Sequence, residues 1–319
     1  MGTPDFAVDS LDSIYKSNHD LCGVVTTPDK KAGRGQKMKE SAVKRYCISN
    51  CIKLLQPVAF NDKVFINNLK SFKADIFVVV AFKILPKIIW EIPCKGTINI
   101  HASLLPQLRG AAPINWAIIN GLRKTGLTSF YINEGIDTGD IIMKKELEIS
   151  ENDNFGSLYT KLKKLSSSFI IDTIECIENG LKPVIQSKIK SELLRAPKID
   201  KKNTRIRWDI DGRKINNLIK GLSPYPGAWS TIKSSEIRLK ILDALFIPKQ
   251  GLKGVNGSVL SIDKNCMVKV KDGYINIFKI KVEGKKEQSG LDFLNGIQRK
   301  KYNFFEKGKF INIKLYTHQ

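Results

Sequence analysis

The stretch ADIFVVVA, residues 74–81, decides the fold. Beyond Asp75 it is apolar on both faces, where a half-exposed strand would alternate apolar and polar residues. A strand of that kind belongs in a parallel sheet covered by helices on both sides. The flanking sequence fits that expectation. Ahead of it, GTPDF reads as a turn leading into a helix with Phe6, Val8, Leu11 and Ile14 on one side. LCGVVTT (21–27) and residues 52–56 read as short strands, and residues 61–70 as a helix capped by Asn61 or Asp62. The basic segment around Gly33, Arg34 and Gly35 reads as a flexible loop, with a helix from about Lys37. Further on, 97–100, 127–132 and 141–149 read as strands, and 112–120 and 155–178 as helices, the last stopped by Asn179 and Gly180. Strands alternating with helices predict a Rossmann-like open α/β sheet, whose ligands bind beyond the carboxyl ends of its strands.

The second half has another character. Residues 182–203 are polar, carry Pro183 and Pro197, and lack period. They predict a linker, taken as 186–202, between a first domain (1–185) and a second (203–319). Beyond a helix near 212–221 come short strands separated by Gly254, Gly257 and Gly273. That spacing predicts a small, OB-like antiparallel β-barrel. The net charge of +22 is concentrated there. Residues 1–185 hold 24 Lys/Arg and 19 Asp/Glu, a balance of +5, which leaves 29 and 12, or +17, for residues 186–319. A composition bias toward lysine would load both halves alike, so the split points to a polyanionic partner for the second half.

No apolar run reaches about 18 residues and no charged-then-apolar leader opens the chain, so a soluble, cytoplasmic protein is expected, with no membrane partner. The six cysteines form no C-x-x-C pair. Cys47 and Cys51 lie four apart on an expected helix, but no neighbouring pair completes a metal site, and reduced thiols are expected.

The chemistry concentrates in TINIHASLLPQLRGAAPINWAIING (97–121) and INEGIDTGDII (132–142). Asn99 and His101, two apart on a strand, project from the same side at its carboxyl end. Pro106 forbids the strand from continuing, and Gly135 and Gly139 set Asp137 in a tight loop. A neutral histidine is a general base near pH 7, a carboxylate beside it favours the imidazolium that forms, and an asparagine amide can donate to a developing oxyanion. No serine or cysteine stands in a nucleophile-elbow context, so direct attack of an external amine or water on an acyl carbon fits these residues. By itself, an N-x-H pair is also compatible with a structural histidine at a strand end.

NIHASLLPQLRGAAPI followed by GIDTGD resembles the signature of the 10-formyltetrahydrofolate-dependent formyltransferases. MGTPDFAV, TTPDKKAGRGQKM, APKIDKKNTRIRW and GLSPYPGAW extend the resemblance over nearly the whole chain, toward the members that act on initiator methionyl-tRNA. The resemblance implies that Asn99, His101 and Asp137 are catalytic, that Ser103, Leu104, Leu105 and Pro106 belong to the folate-binding segment, and that Arg34 meets the tRNA acceptor end. It further implies 10-formyltetrahydrofolate as formyl donor, no metal, tRNA binding by the basic second domain, and a monomer. A small-molecule amine as acceptor, or a decayed transferase that keeps only RNA binding, are the alternatives.

Three departures from the family are visible. Ala81-Phe82-Lys83-Ile84-Leu85-Pro86 stands where AYGLILP is usual, and HASLLPQLRG, with Ala102 and Leu108, where HGSLLPRWRG is usual. The third lies at the start. An open α/β sheet expects a strand ahead of the turn at Gly2, and of that strand only Met1 is present.

Overall fold

A computed structural model describes residues 1–32, 35–186, 192–232, 237–251, 254–299 and 313–314. By internal contacts it divides into two units. One holds Met1–Pro113, Lys124–Glu148 and Tyr159–Pro197; the other holds Ile114–Arg123, Ile149–Leu158 and Lys198–Gln319. The chain therefore enters the second unit twice before finally joining it.

The first unit opens with α1 (Phe6–Lys16), β1 (Val24–Val25), the hairpin strands β2 (Lys30–Ala32) and β3 (Lys37–Lys39), α2 (Ala42–Ser49), β4 (Leu54–Leu55) and α3 (Lys63–Ser71). It continues through β5 (Phe77–Val80), α4 (Lys87–Trp90) and β6 (Thr97–His101). The helix expected from Lys37 begins only at Ala42. Ser41 accepts the Lys44 N–H at 2.9 Å and so fixes the helix start, while Lys37–Lys39 pair antiparallel with Lys30–Ala32. Next come β7 (Lys124–Tyr131), β8 (Ile141–Glu148) and, from Tyr159 on, α6 (Phe155–Glu178); α5 (Pro113–Ile119), ahead of β7, lies in the second unit from Ile114.

β1 pairs with β4 in parallel, and β5 with β6 in parallel; β6, β7 and β8 then run antiparallel, so the sheet is mixed. The aliphatic run that identifies β5 is packed as expected. Phe77, Val79 and Val80 are buried, and α3 lays Phe65, Ile66 and Leu69 in the same core cluster. Each such side chain contributes about 1.5–3 kcal/mol by leaving water. Asp62 caps α3 by accepting the Val64 N–H at 2.9 Å.

Met1 and Gly2 occupy the place of a strand between β1 and β5. Gly2 N–H donates to Val25 O at 3.0 Å, Met1 O accepts the Val80 N–H at 2.9 Å, and the terminal amine donates to Val78 O at 2.6 Å. A cavity of about 500 Å³ continues from these two residues toward the amino ends of β1 and β5, lined among others by Val24, Phe77 and Val78. Burial lowers the pKa of the amine to about 5.

The second unit is built on α7 (Gly212–Gly221) and the strands β9 (Ala228–Thr231), β10 (Arg238–Pro248), β11 (Ser258–Ile262), β12 (Asn265–Val270), β13 (Gly273–Val282) and β14 (Glu287–Ser289), followed by α8 (Gly290–Arg299) and β15 (Ile313–Lys314). They form an antiparallel sheet in the order β15-β11-β12-β13-β10-β9, with β14 beside β13. Its core is aliphatic around Trp208, whose indole N–H donates to Ser230 Oγ at 3.0 Å. Ile215 and Ile219 of α7 are fully buried in that core, and Asp272 accepts the Gly212 N–H at 2.7 Å, satisfying a donor at the helix start. Helix α8, which begins at Gly290 and contains Gly296, is not expected from the sequence; Phe293 and Leu294 bury it in the same core. Among the described residues no helix is long and apolar enough to cross a membrane.

Candidate active site

β6 ends at His101, and the chain then leaves the sheet through a loop whose backbone is fixed from β7. Thr128 Oγ1 donates to Ser103 O at 2.7 Å and accepts the Leu105 N–H at 3.1 Å, and Ser103 Oγ donates to Gln107 O at 2.7 Å. Ser103, Leu105 and Pro106 are buried and Leu104 is half-buried. Leu105 packs with Phe130 and Ile141. This segment is therefore rigid, with little side-chain surface to offer a ligand beyond Leu104.

Asn99 is half-buried in β6, opposite Phe130 on one side and Val79 on the other. The strand places it on the same face as His101. His101 is buried, with two partners. Its Nε2 lies 2.9 Å from Leu108 O, and its Nδ1 lies 3.7 Å from Asp137 Oδ2. A carbonyl only accepts, so Nε2 carries the proton in that contact, and Nδ1 of the neutral ring is left unprotonated toward Asp137. The gap of 3.7 Å is too long for a direct hydrogen bond and short enough for an ion pair once Nδ1 is protonated.

The carbonyl of Leu108 reaches His101 because Leu108 is held in the left-handed region, at φ 59°. Its side chain is fully buried and its N–H donates to Leu194 O at 2.8 Å. Ala196 N–H donates to Arg109 O at 2.9 Å and Ala112 N–H to Ala196 O at 3.2 Å. Residues 192–197, which read as linker from their polarity, thus run hydrogen-bonded along residues 107–112. Gly110, at φ 126°, lies against that segment so closely that a Cβ there would collide with the Ala196 carbonyl. Ala102, where the family has Gly, has no positive φ and is buried, so the alanine fits the backbone it occupies.

Asp137 also has a left-handed backbone, φ 53°, in the loop between β7 and β8. Its Oδ2 accepts the Gly110 N–H at 2.9 Å. Gln186, buried to 2% exposure, donates to the carbonyls of Asp137 at 3.3 Å and Gly139 at 2.5 Å, and accepts from Arg109 Nη2 at 2.6 Å and Nε at 3.2 Å. Burial and the neighbouring Arg195 lower the Arg109 pKa, an effect that Asp137 opposes. The sequence does not single out Gln186, and it marks Leu108 only as a departure from the usual motif. Leu108 acts through its carbonyl, which no residue type advertises, and Gln186 sits 49 positions from Asp137.

Arg34 lies outside the described residues. All six cysteines are free, and among the described residues no group of three or more His, Cys, Asp or Glu side chains could hold a metal ion.

The chain belongs to the formyl transferase family. The family's "Formyl transferase" model matches residues 1–174, and its "Formyl transferase, C-terminal domain" model matches residues 198–298. The chain is 46% identical to the methionyl-tRNA formyltransferase of Flavobacterium johnsoniae over 299 residues, covering 93% of this chain and 95% of that protein. To the methionyl-tRNA formyltransferase of Flavobacterium psychrophilum it is 44% identical over 303 residues, with 93% and 95% covered. In fold it is similar to an N-formyltransferase from Helicobacter canadensis, solved with folinic acid and dTDP-3-aminofucose. The TM-score is 0.61 at 23% identity, covering 86% of this chain and 96% of that one.

Proposed function

We propose that this chain transfers the formyl group of 10-formyltetrahydrofolate to the α-amino group of methionine on initiator methionyl-tRNA. The observation that carries the chemistry is the juxtaposition of Asn99, His101 and Asp137 at the carboxyl end of β6. The 46% identity to a methionyl-tRNA formyltransferase over nearly the whole chain supports the acceptor, and the excess of +17 beyond residue 185 fits a tRNA. Division of labour follows from the ring contacts. The Nε2–H of His101 is committed to Leu108 O, so the base is Nδ1. The amine attacks the formyl carbon, its proton passes to Nδ1, and the resulting imidazolium forms an ion pair with Asp137 across the 3.7 Å gap. The Asn99 amide donates to the formyl oxygen as negative charge builds there, an interaction worth about 10²–10³-fold per donor. The oxyanion collapses, the bond from the formyl carbon to the folate nitrogen breaks, and that nitrogen takes the proton from Nδ1, which returns the ring to its neutral form. No step assigned to these residues calls for a metal.

The donor is consumed in each turnover and is a flat heteroaromatic with an acidic tail. Residues suited to it lie on two segments whose proximity the exposed Lys87–Glu134 contact, 3.5 Å, marks. Ile84, Ile88 and Ile136 on those segments are largely exposed, an apolar surface that water covers poorly. The first unit, with the 1–185 region as catalytic domain, would hold the donor, and the basic domain from 203 onward would hold the tRNA, as a monomer in the cytoplasm. The test is acceptor choice. Purified protein with 10-formyltetrahydrofolate is expected to formylate methionyl-tRNA and to leave a dTDP-amino sugar unmodified; the reverse preference would assign it to small-molecule amines. Tight tRNA binding without transfer to either would mark a binding protein.

A further inference from the structure

Asp137 is held from two sides, and the two tethers meet. Its carboxylate accepts the Gly110 N–H, and its backbone carbonyl accepts from Gln186. Gln186 in turn binds the side chain of Arg109, the residue next to Gly110. The result is a closed circuit: Asp137 carboxylate, Gly110 amide, Arg109 guanidinium, Gln186 carboxamide and Asp137 carbonyl. Gln186 uses its full capacity, two donated and two accepted hydrogen bonds, in a site 2% exposed. The loop it holds needs holding, because Asp137 is a non-glycine residue at φ 53°.

We infer that Gln186 is a positioning residue for formyl transfer, which acts by fixing Asp137 at ion-pair distance from Nδ1 of His101. This rests on the function proposed above. The ring nitrogens of His101 are partnered by Leu108 and Asp137, so the effect of Gln186 on rate is exerted through Asp137. A loosened Asp137 loop leaves both substrates bound and the imidazolium less well paired at the moment of transfer. The loss therefore falls on kcat and spares KM.

The experiment measures kcat and both KM values for methionyl-tRNA formylation by the full-length chain carrying Gln186→Met, Asp137→Ala, or both, with thermal unfolding of each. Gln186→Met is expected to lower kcat about tenfold, with either KM changed by less than about twofold. In the Asp137→Ala background the same substitution is expected to cost less than about twofold, because the residue it acts through is gone. If Gln186→Met fails to fold, Arg109→Met removes the other side of the circuit and is expected to show the same dependence on Asp137. Losses that multiply in the double variant, or a rise in KM alone, would overturn the assignment and leave a structural or binding residue. Absence of formyl transfer by the unmodified chain would instead overturn the functional reading, and the role of Gln186 with it.

Discussion

Changing Asp137 to Asn keeps the size and the acceptor for the Gly110 N–H but removes the charge. In the structure that charge faces Nδ1 of His101 at 3.7 Å, and both side chains are at most 15% exposed. Two unit charges about 4 Å apart attract by about 4 kcal/mol at an effective dielectric near 20. The amide dipole of Asn recovers part of this, so about 3–4 kcal/mol of the stabilisation of the imidazolium is lost. Since 1.36 kcal/mol is tenfold in rate, kcat/KM for formylation of methionyl-tRNA should fall by about 10²–10³. KM for the donor should change little, because Asp137 carries its charge toward His101. Initial rates at saturating tRNA, with the thermal unfolding midpoint as control, measure this. A variant within fivefold of the unmodified chain and equally stable would show that the His101–Asp137 pair does not carry the proton transfer.

Asn99→Ala and His101→Ala should each reduce kcat/KM by about 10² or more; His101→Ala should also lower the unfolding midpoint, since it leaves the Leu108 carbonyl without its partner. Gly110→Ala forces a Cβ into the Ala196 carbonyl at a backbone angle that disfavours alanine, so it should destabilise the chain and lower kcat by loosening the Asp137 carboxylate; unchanged kcat would detach Gly110 from the site. Affinity for methionyl-tRNA should fall by orders of magnitude between about 50 and 200 mM salt, as phosphate contacts require, whereas donor KM should be much less sensitive.

The parts of the fold that were legible in the sequence are those governed by local physics. The aliphatic run at β5 and the Asn179-Gly180 stop after α6 announce themselves, and the bounds of α6 fall where that stop sets them. The start of α2 was misread because Lys37, Met38 and Lys39 are as acceptable in a helix as in a strand. Only the pairing with residues 30–32 and the Ser41 cap decide it. The same limit applies to the site. Asn99 and His101 sit two apart and declare their shared face, but the contacts that orient Asp137 come from far along the chain. Leu108 contributes a carbonyl, and Gln186 lies in a stretch whose polarity suggested a linker. A buried polar side chain and a solvated one look alike until the partners are placed. The contact units show a further effect: α5 follows the active-site loop in sequence, yet Asn115 bonds Gly221 at 2.8 Å and joins the second unit.

Formyl transfer at the end of β6 and the Asp137 loop is the central proposal. Single-turnover transfer of a labelled formyl group from 10-formyltetrahydrofolate to methionyl-tRNA tests it most directly, comparing the unmodified chain with the variant in which Asn99, His101 and Asp137 are all alanine. Label is expected on the methionine α-amine at a rate about 10² or more above that of the variant. No label with the unmodified chain, or equal rates from both, would contradict it.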